Sequence, residues 1–155
     1  MRRGRQPRPR DRHQELIVPA EGRWLLYTDG ASRGNPGPAA IGAVLFDRNG
    51  RRVHAVSQVI GEATNNVAEY SAAIAGLEAA LSLGIRDIEL RMDSELVVRQ
   101  ISGQYRVRHP KLKPLWARLN ELSAGFASFE ARAVPRAQNK VADGLANQAL
   151  DKTML

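Results

Sequence analysis

The 155-residue chain contains no cysteine, which excludes a disulfide framework and any thiolate metal site. No apolar run is long enough to cross a bilayer, and the arginine-rich N-terminus is not followed by an apolar targeting segment. A soluble, monomeric, cytoplasmic protein without a membrane partner is the expectation. There is no internal repeat and no sign of a second domain, and 43% hydrophobic residues suffice for one core. Acidic residues are in deficit, 16 against 23 Lys and Arg, for a net charge of +7. Six arginines against Asp11 put +5 of that charge in the first twelve residues. The rest of the chain is too weakly basic to identify nucleic-acid binding from charge alone.

What is present is organised around Trp24 to Gly37, WLLYTDGASRGNPG. Trp24 to Thr28 predicts a strand. The apolar run stops at Asp29-Gly30, and Gly30, Gly34, Pro36, Gly37 and Pro38 predict a tight loop directly after it. Residues 1–22 read as a disordered basic arm, 23–150 as one domain and 151–155 as a tail. Ala39 to Asp47 and Arg51 to Ile60 read as antiparallel strands joined by an Arg48-Asn49-Gly50 turn. Thr64 to Leu83 is the strongest helix, with Val67, Tyr70, Ile74, Leu77 and Leu81 at helical spacing and Gly84 ending it. A second stripe, Glu69, Ala73, Gly76 and Ala80, is small except for the glutamate, so Glu69 should face the sheet. Then follow a strand at Asp87 to Met92, a helix at Glu95 to Ile101 and a loop from Gly103 to Pro114. A helix at Leu115 to Ala124, a strand at Phe126 to Val134 and a last helix at Asn139 to Leu150 complete the chain. This order predicts an α/β fold, a mixed sheet with helices packed on its faces.

Each acidic residue of interest has an ordinary explanation. Asp29-Gly30 is a common turn dipeptide, Asn66 with Glu69 fits a capping box, and Asp93 fits a helix N-cap. Taken together, Asp29 and Asp93 at strand ends, Glu69 facing the sheet and Asp143 in the last helix would crowd four charges if they converged. Two unit charges 4 Å apart repel by about 4 kcal/mol at an effective dielectric of 20. Oxygen donors without Cys or a suitably placed His suit hard divalent ions, Mg²⁺ or Mn²⁺, and paired ions suit phosphodiester hydrolysis.

TDGASRGNPGP, TNNVAEY, MDSELV and NKVADGLA, in that order, resemble the motifs of type 1 ribonuclease H, over about Trp24 to Leu150. The resemblance implies a five-stranded sheet of order 3-2-1-4-5 and two-metal endonucleolytic cleavage of the RNA strand of RNA/DNA hybrids. Such cleavage leaves 5′-phosphate and 3′-hydroxyl ends. By it Asp29, Glu69, Asp93 and Asp143 would be metal ligands, with Asp29 touching both ions and Glu69 near the attacking water and the 2′-OH. Gly30 and Ala31 would offer backbone groups to the substrate, and Asn35, Asn65 and Asn66 would line the minor groove, where the 2′-OH distinguishes RNA; Thr64 would help hold a DNA phosphate.

The chain departs from the family pattern at three places. Glu62 stands where many members have a basic residue beside that phosphate contact. Between Ile101 and Leu115 it lacks the lysine-rich helix of many bacterial members, offering Arg106, Arg108, Lys111 and Lys113 instead. Arg136 replaces a loop histidine, as in archaeal-type members; it stays protonated, so its role would be electrostatic. Two alternatives stay open: a nuclease of this fold acting on double-stranded RNA, and a non-catalytic hybrid-binding module. Intact acidic positions disfavour the second, since a phosphate-binding module would gain by losing them.

Overall fold

The computed structural model describes residues 22–153. The basic arm expected at 1–22 lies outside the described residues apart from Gly22, as do the last two residues of the expected tail. The chain runs β1 (Trp24–Ser32), β2 (Gly37–Phe46), β3 (Arg52–Ala63), α1 (Asn65–Ser82), β4 (Asp87–Met92), α2 (Glu95–Ile101), α3 (Lys113–Ser123), β5 (Ser128–Ala133) and α4 (Lys140–Thr153). The strands form one sheet of order β3-β2-β1-β4-β5. β1 is antiparallel to β2, β2 to β3, while β4 is parallel to β1 and β5 to β4.

Both faces are covered. On one, Leu26, Ala43, Leu45, Ile88 and Leu90 pack against Tyr70, Ala73, Leu77 and Ala80 of α1 and against α2 and α3 through Val97 and Leu119. On the other, Leu25, Tyr27, Val44 and Phe46 meet Ala142 of α4, and Ala40 meets Ala149 and Leu150. The small stripe on α1 is what lets it lie close, since a Cβ on Gly76 would come within 2.8 Å of Leu26.

Several expected boundaries move. β1 does not end at Asp29-Gly30: Asp29, Gly30, Ala31 and Ser32 pair on with Gly42, Ile41, Ala40 and Ala39. Local glycine content argued for a loop, but a partner strand supplying hydrogen bonds outweighs it, and the turn falls after Ser32. β2 and β3 are longer than expected for the same reason, with a register shift between Ala39 and Ala40 and Gly61 at φ +84° absorbing an extra residue. α3 starts at Lys113, not after Pro114, because proline is tolerated in a first turn. α4 runs on to Thr153, so the first three residues of the expected tail are helical, and Asp151 pairs with Arg33 at 2.6 Å.

The closest backbone contact on the second face is at Gly42, where a Cβ would stand 2.1 Å from the Ala142 carbonyl oxygen and 2.7 Å from the Ala146 nitrogen. Gly42→Ala should therefore lower stability by roughly 1–3 kcal/mol through overpacking that only a helix shift can relieve. Chemical denaturation of the variant checks this; an unchanged midpoint would mean that α4 does not bear on β2 there.

Candidate active site

β1 and β4 are parallel with Tyr27 beside Arg91, so two residues further on Asp29 and Asp93 emerge side by side on one face. Glu69 comes from the second turn of α1. Its capping-box explanation fails: Thr64, not Asn66, is the N-cap, accepting from the Val67 N–H at 3.2 Å. Glu69 instead accepts a hydrogen bond from the Gly30 N–H at 2.7 Å. Glycine is required there, because a Cβ on residue 30 would lie 2.2 Å from the Ala68 carbonyl carbon. Asp93 is not a cap either; Ser94 caps α2. Carboxylate oxygens of Asp29, Glu69 and Asp93 lie within 4.8 Å of one another. Asp143, in the first turn of α4, joins this group through a hydrogen bond with Asp29, and Asn147 Nδ2 donates to its Oδ1 at 3.2 Å.

Asp29 and Glu69 are only 6% and 7% exposed. Burial, then the charge of Glu69, the hydrogen bond to Asp143 and the charges of Asp93 and Asp143 push the Asp29 carboxyl up to about 9. Burial raises Glu69 to about 7, with the Asp93 charge adding to it; the Gly30 N–H, Asp29 and the Arg136 guanidinium oppose. Near neutral pH the cluster therefore resists full ionisation, most strongly at Asp29. An all-oxygen donor set, largely buried and mutually repelling, fits a hard divalent cation.

The expected substrate contacts form a lip beside these carboxylates. The Ser32 N–H donates to Asn65 Oδ1 at 3.2 Å and the Asn65 N–H to Asn35 Oδ1 at 3.0 Å, bringing Asn35 and Asn65 to the end of β1, where Gly30 and Ala31 directly precede Ser32. Asn65 and Asn35 are exposed, Asn66 is half-buried, and Thr64 is occupied in capping. Arg136 is exposed in a 3-10 turn, Arg136–Gln138, ahead of α4. One residue at the site escapes sequence reasoning. Asn139 is 1% exposed and its Nδ2 donates to the Thr28 carbonyl at 3.0 Å and to Asp93 Oδ2 at 3.3 Å. An asparagine just before a helix reads as a cap, so its sequence position gave no signal of this.

A family described as reverse transcriptase-like matches residues 27–149. A ribonuclease HI of Halobacterium salinarum is 52% identical over 130 residues, covering 84% of this chain, which spans 65% of that protein's length. A ribonuclease H of Halorhodospira halophila is 39% identical over 140 residues, covering 81% of this chain and 91% of its own length. The crystal structure of LC11-RNase H1 from compost, solved in complex with an RNA/DNA hybrid, superposes with a TM-score of 0.82 at 43% identity, covering 86% of this chain and all of that one.

The raised carboxyls set a pH dependence. Their folded pKa values exceed the ordinary 3.8 and 4.5, so the folded chain binds more protons than the unfolded one between those values and about 7 and 9. Their contribution is fully present below about pH 4 and is lost as pH rises towards 9. Melting in EDTA should therefore show stability falling across pH 5 to 9. Asp29→Asn should flatten that fall and raise the melting temperature at pH 8. A metal-free protein equally stable throughout would contradict the crowding.

Proposed function

The chain belongs to the ribonuclease H family, and from that membership we propose that it is an endoribonuclease hydrolysing the RNA strand of RNA/DNA hybrids, leaving 5′-phosphate and 3′-hydroxyl ends. The observation that carries the reading is the meeting of Asp29, Glu69 and Asp93 within 4.8 Å, with Asp143 on Asp29. These four would hold two Mg²⁺ ions, Mn²⁺ serving as well. The chemistry such a pair supplies is activation of water and neutralisation of charge on the leaving oxygen.

The chain's own residues divide the remaining work. The Gly30 N–H fixes Glu69 Oε1 and so orients the carboxylate within the group. Asn35 and Asn65, held in one hydrogen-bonded row with Ser32, present exposed amides where a minor groove and its 2′-hydroxyls would lie. Arg136, whose charge reaches Glu69, would offer its guanidinium fork to a phosphate oxygen. A module that only bound hybrids would have no use for four carboxylates without an ion-pair partner among the described residues.

Labelled RNA/DNA hybrid, duplex RNA and duplex DNA, each with Mg²⁺, Mn²⁺ or EDTA, test the reading. Hybrid should be cut within its RNA strand, only with metal, and Asp29→Asn should remove cleavage while the protein stays folded. Preferential cutting of duplex RNA would move the substrate to the double-stranded class; turnover by Asp29→Asn in Mg²⁺ would sink the metal assignment.

Arg136→Ala should lower kcat on the order of tenfold or more, by analogy with the loss of a single charge-stabilising donor. Arg136→Lys should restore part of it, with no new titration between pH 6 and 9. An alanine variant as fast as the parent across that range would leave Arg136 outside the chemistry.

A further inference from the structure

Asn139 has no place in the division of roles above, yet its buried side chain joins β1 to Asp93. Its side-chain amide donates to the carbonyl of Thr28, the residue before Asp29, and to Asp93 itself. Its own carbonyl accepts the Asp143 N–H at 3.1 Å. The side chain thus holds Asp93 directly and β1 at the residue before Asp29, while the main chain of Asn139 opens the helix that carries Asp143; Glu69 is tied to Gly30 beside Asp29. We propose that Asn139 is a positioning residue that sets Asp93 against β1 and the start of α4, so that the carboxylates present one preformed set of oxygens. The proposal rests on the hybrid-nuclease reading.

The chemistry of the position is narrow. Both partners are acceptors, so the group between them must offer two hydrogens, and an uncharged one does so without bringing a cation into the cluster. An amide nitrogen meets that need. Reversing the amide would turn its oxygen onto a carbonyl and a carboxylate. The chosen orientation leaves Asn139 Oδ1 buried with no hydrogen-bond partner among the described residues. A residue selected to fill space would not carry an unpaired buried oxygen. Nor is the side chain a helix cap: its two donors point away from α4, to β1 and to the residue after β4. What the unpaired oxygen accompanies is a pair of N–H groups aimed at the frame of the site, an arrangement that outer partners of ligating carboxylates adopt to fix their orientation.

Asn139→Leu keeps the volume, removes both donors and also removes the unpaired oxygen; Asn139→Ala removes the donors and leaves space. Two quantities are to be measured on the full chain: kcat and KM for hybrid cleavage at saturating Mg²⁺, and the Mg²⁺ concentration at the midpoint of the rise in melting temperature without substrate. Both variants should lose about 10- to 100-fold in kcat and need about 10- to 100-fold more Mg²⁺ at the midpoint, the range seen when outer partners of metal ligands are removed. KM for hybrid should stay within about twofold. A folded variant with parental kcat and parental Mg²⁺ midpoint overturns the proposal, whatever its melting temperature, because a purely structural role moves only the latter. Should neither variant fold, the unmutated chain decides. The Asn139 side-chain amide protons, followed by ¹⁵N-correlated NMR, should exchange slowly and shift on adding Mg²⁺, and fast exchange with no shift overturns the proposal. If the parent itself neither cuts hybrid nor gains melting temperature with Mg²⁺, the nuclease reading fails; if the parent does both and the variants match it, only the role of Asn139 fails.

Discussion

The site depends on how closely two helices can approach one pair of strands. α1 reaches β1 where residue 30 has no side chain, and α4 reaches β2 where residue 42 has none. The two contacts are neighbours, because Asp29 is paired with Gly42 and Gly30 follows Asp29. A Cβ at either place would meet main chain at about 2 Å, a distance that cannot be relieved by turning a side chain. Glycine there is thus a statement about helix position. It places Glu69 of α1 and Asp143 of α4 on opposite sides of the strand that carries Asp29, and the parallel pairing of β4 supplies Asp93.

Steric closeness then creates the electrostatic problem that defines the site. Buried carboxylates gathered at this range resist ionisation, burial first and mutual charge second, and both Asp29 and Glu69 are raised for these reasons. The fold offers partial relief only: an N–H from Gly30, an amide from Asn139, an amide from Asn147 and the nearby charge of Arg136. Hydrogen bonds of this kind orient a carboxylate without neutralising it. The arrangement holds its oxygens in place while leaving their charge to be balanced by something brought in.

Much of this was legible in the sequence, and the reasons differ by residue. The alternation of strand and helix patterns defined the sheet and its covered faces, and Asp87 to Met92 and Glu95 to Ile101 have the bounds their patterns predict. The stripe of Glu69, Ala73, Gly76 and Ala80 correctly turned Glu69 inward, since only small residues allow such an approach. What could not be read locally was decided by partners. Asp29 sits inside a strand because β2 keeps pairing past it, although its own neighbours are turn formers. Thr64 and Ser94 do the capping that Asn66 and Asp93 were equally suited to do. Asn139 looks like any helix-starting asparagine until Thr28 and Asp93 are placed beside it.

The molecule also contains its own comparison for the acidic cluster. Glu89, on β4 four residues before Asp93, is 2% exposed and is treated quite differently. Arg91 holds it at 2.6 Å, with Arg132 at 3.7 Å and Arg23 at 3.8 Å. Tyr27 takes up the other end of the Arg91 guanidinium at 2.8 Å. This is how a fold carries a buried carboxylate for structure: paired, with its cations themselves hydrogen-bonded. Among the described residues no arginine or lysine stands at ion-pair distance from Asp29, Glu69, Asp93 or Asp143. The same strand therefore shows both solutions within four residues. A fold that surrounds Glu89 with arginines, yet sets no ion-pair partner among the described residues beside the four converging carboxylates at the end of that strand, treats the two in opposite ways, as a site for cations from outside would require.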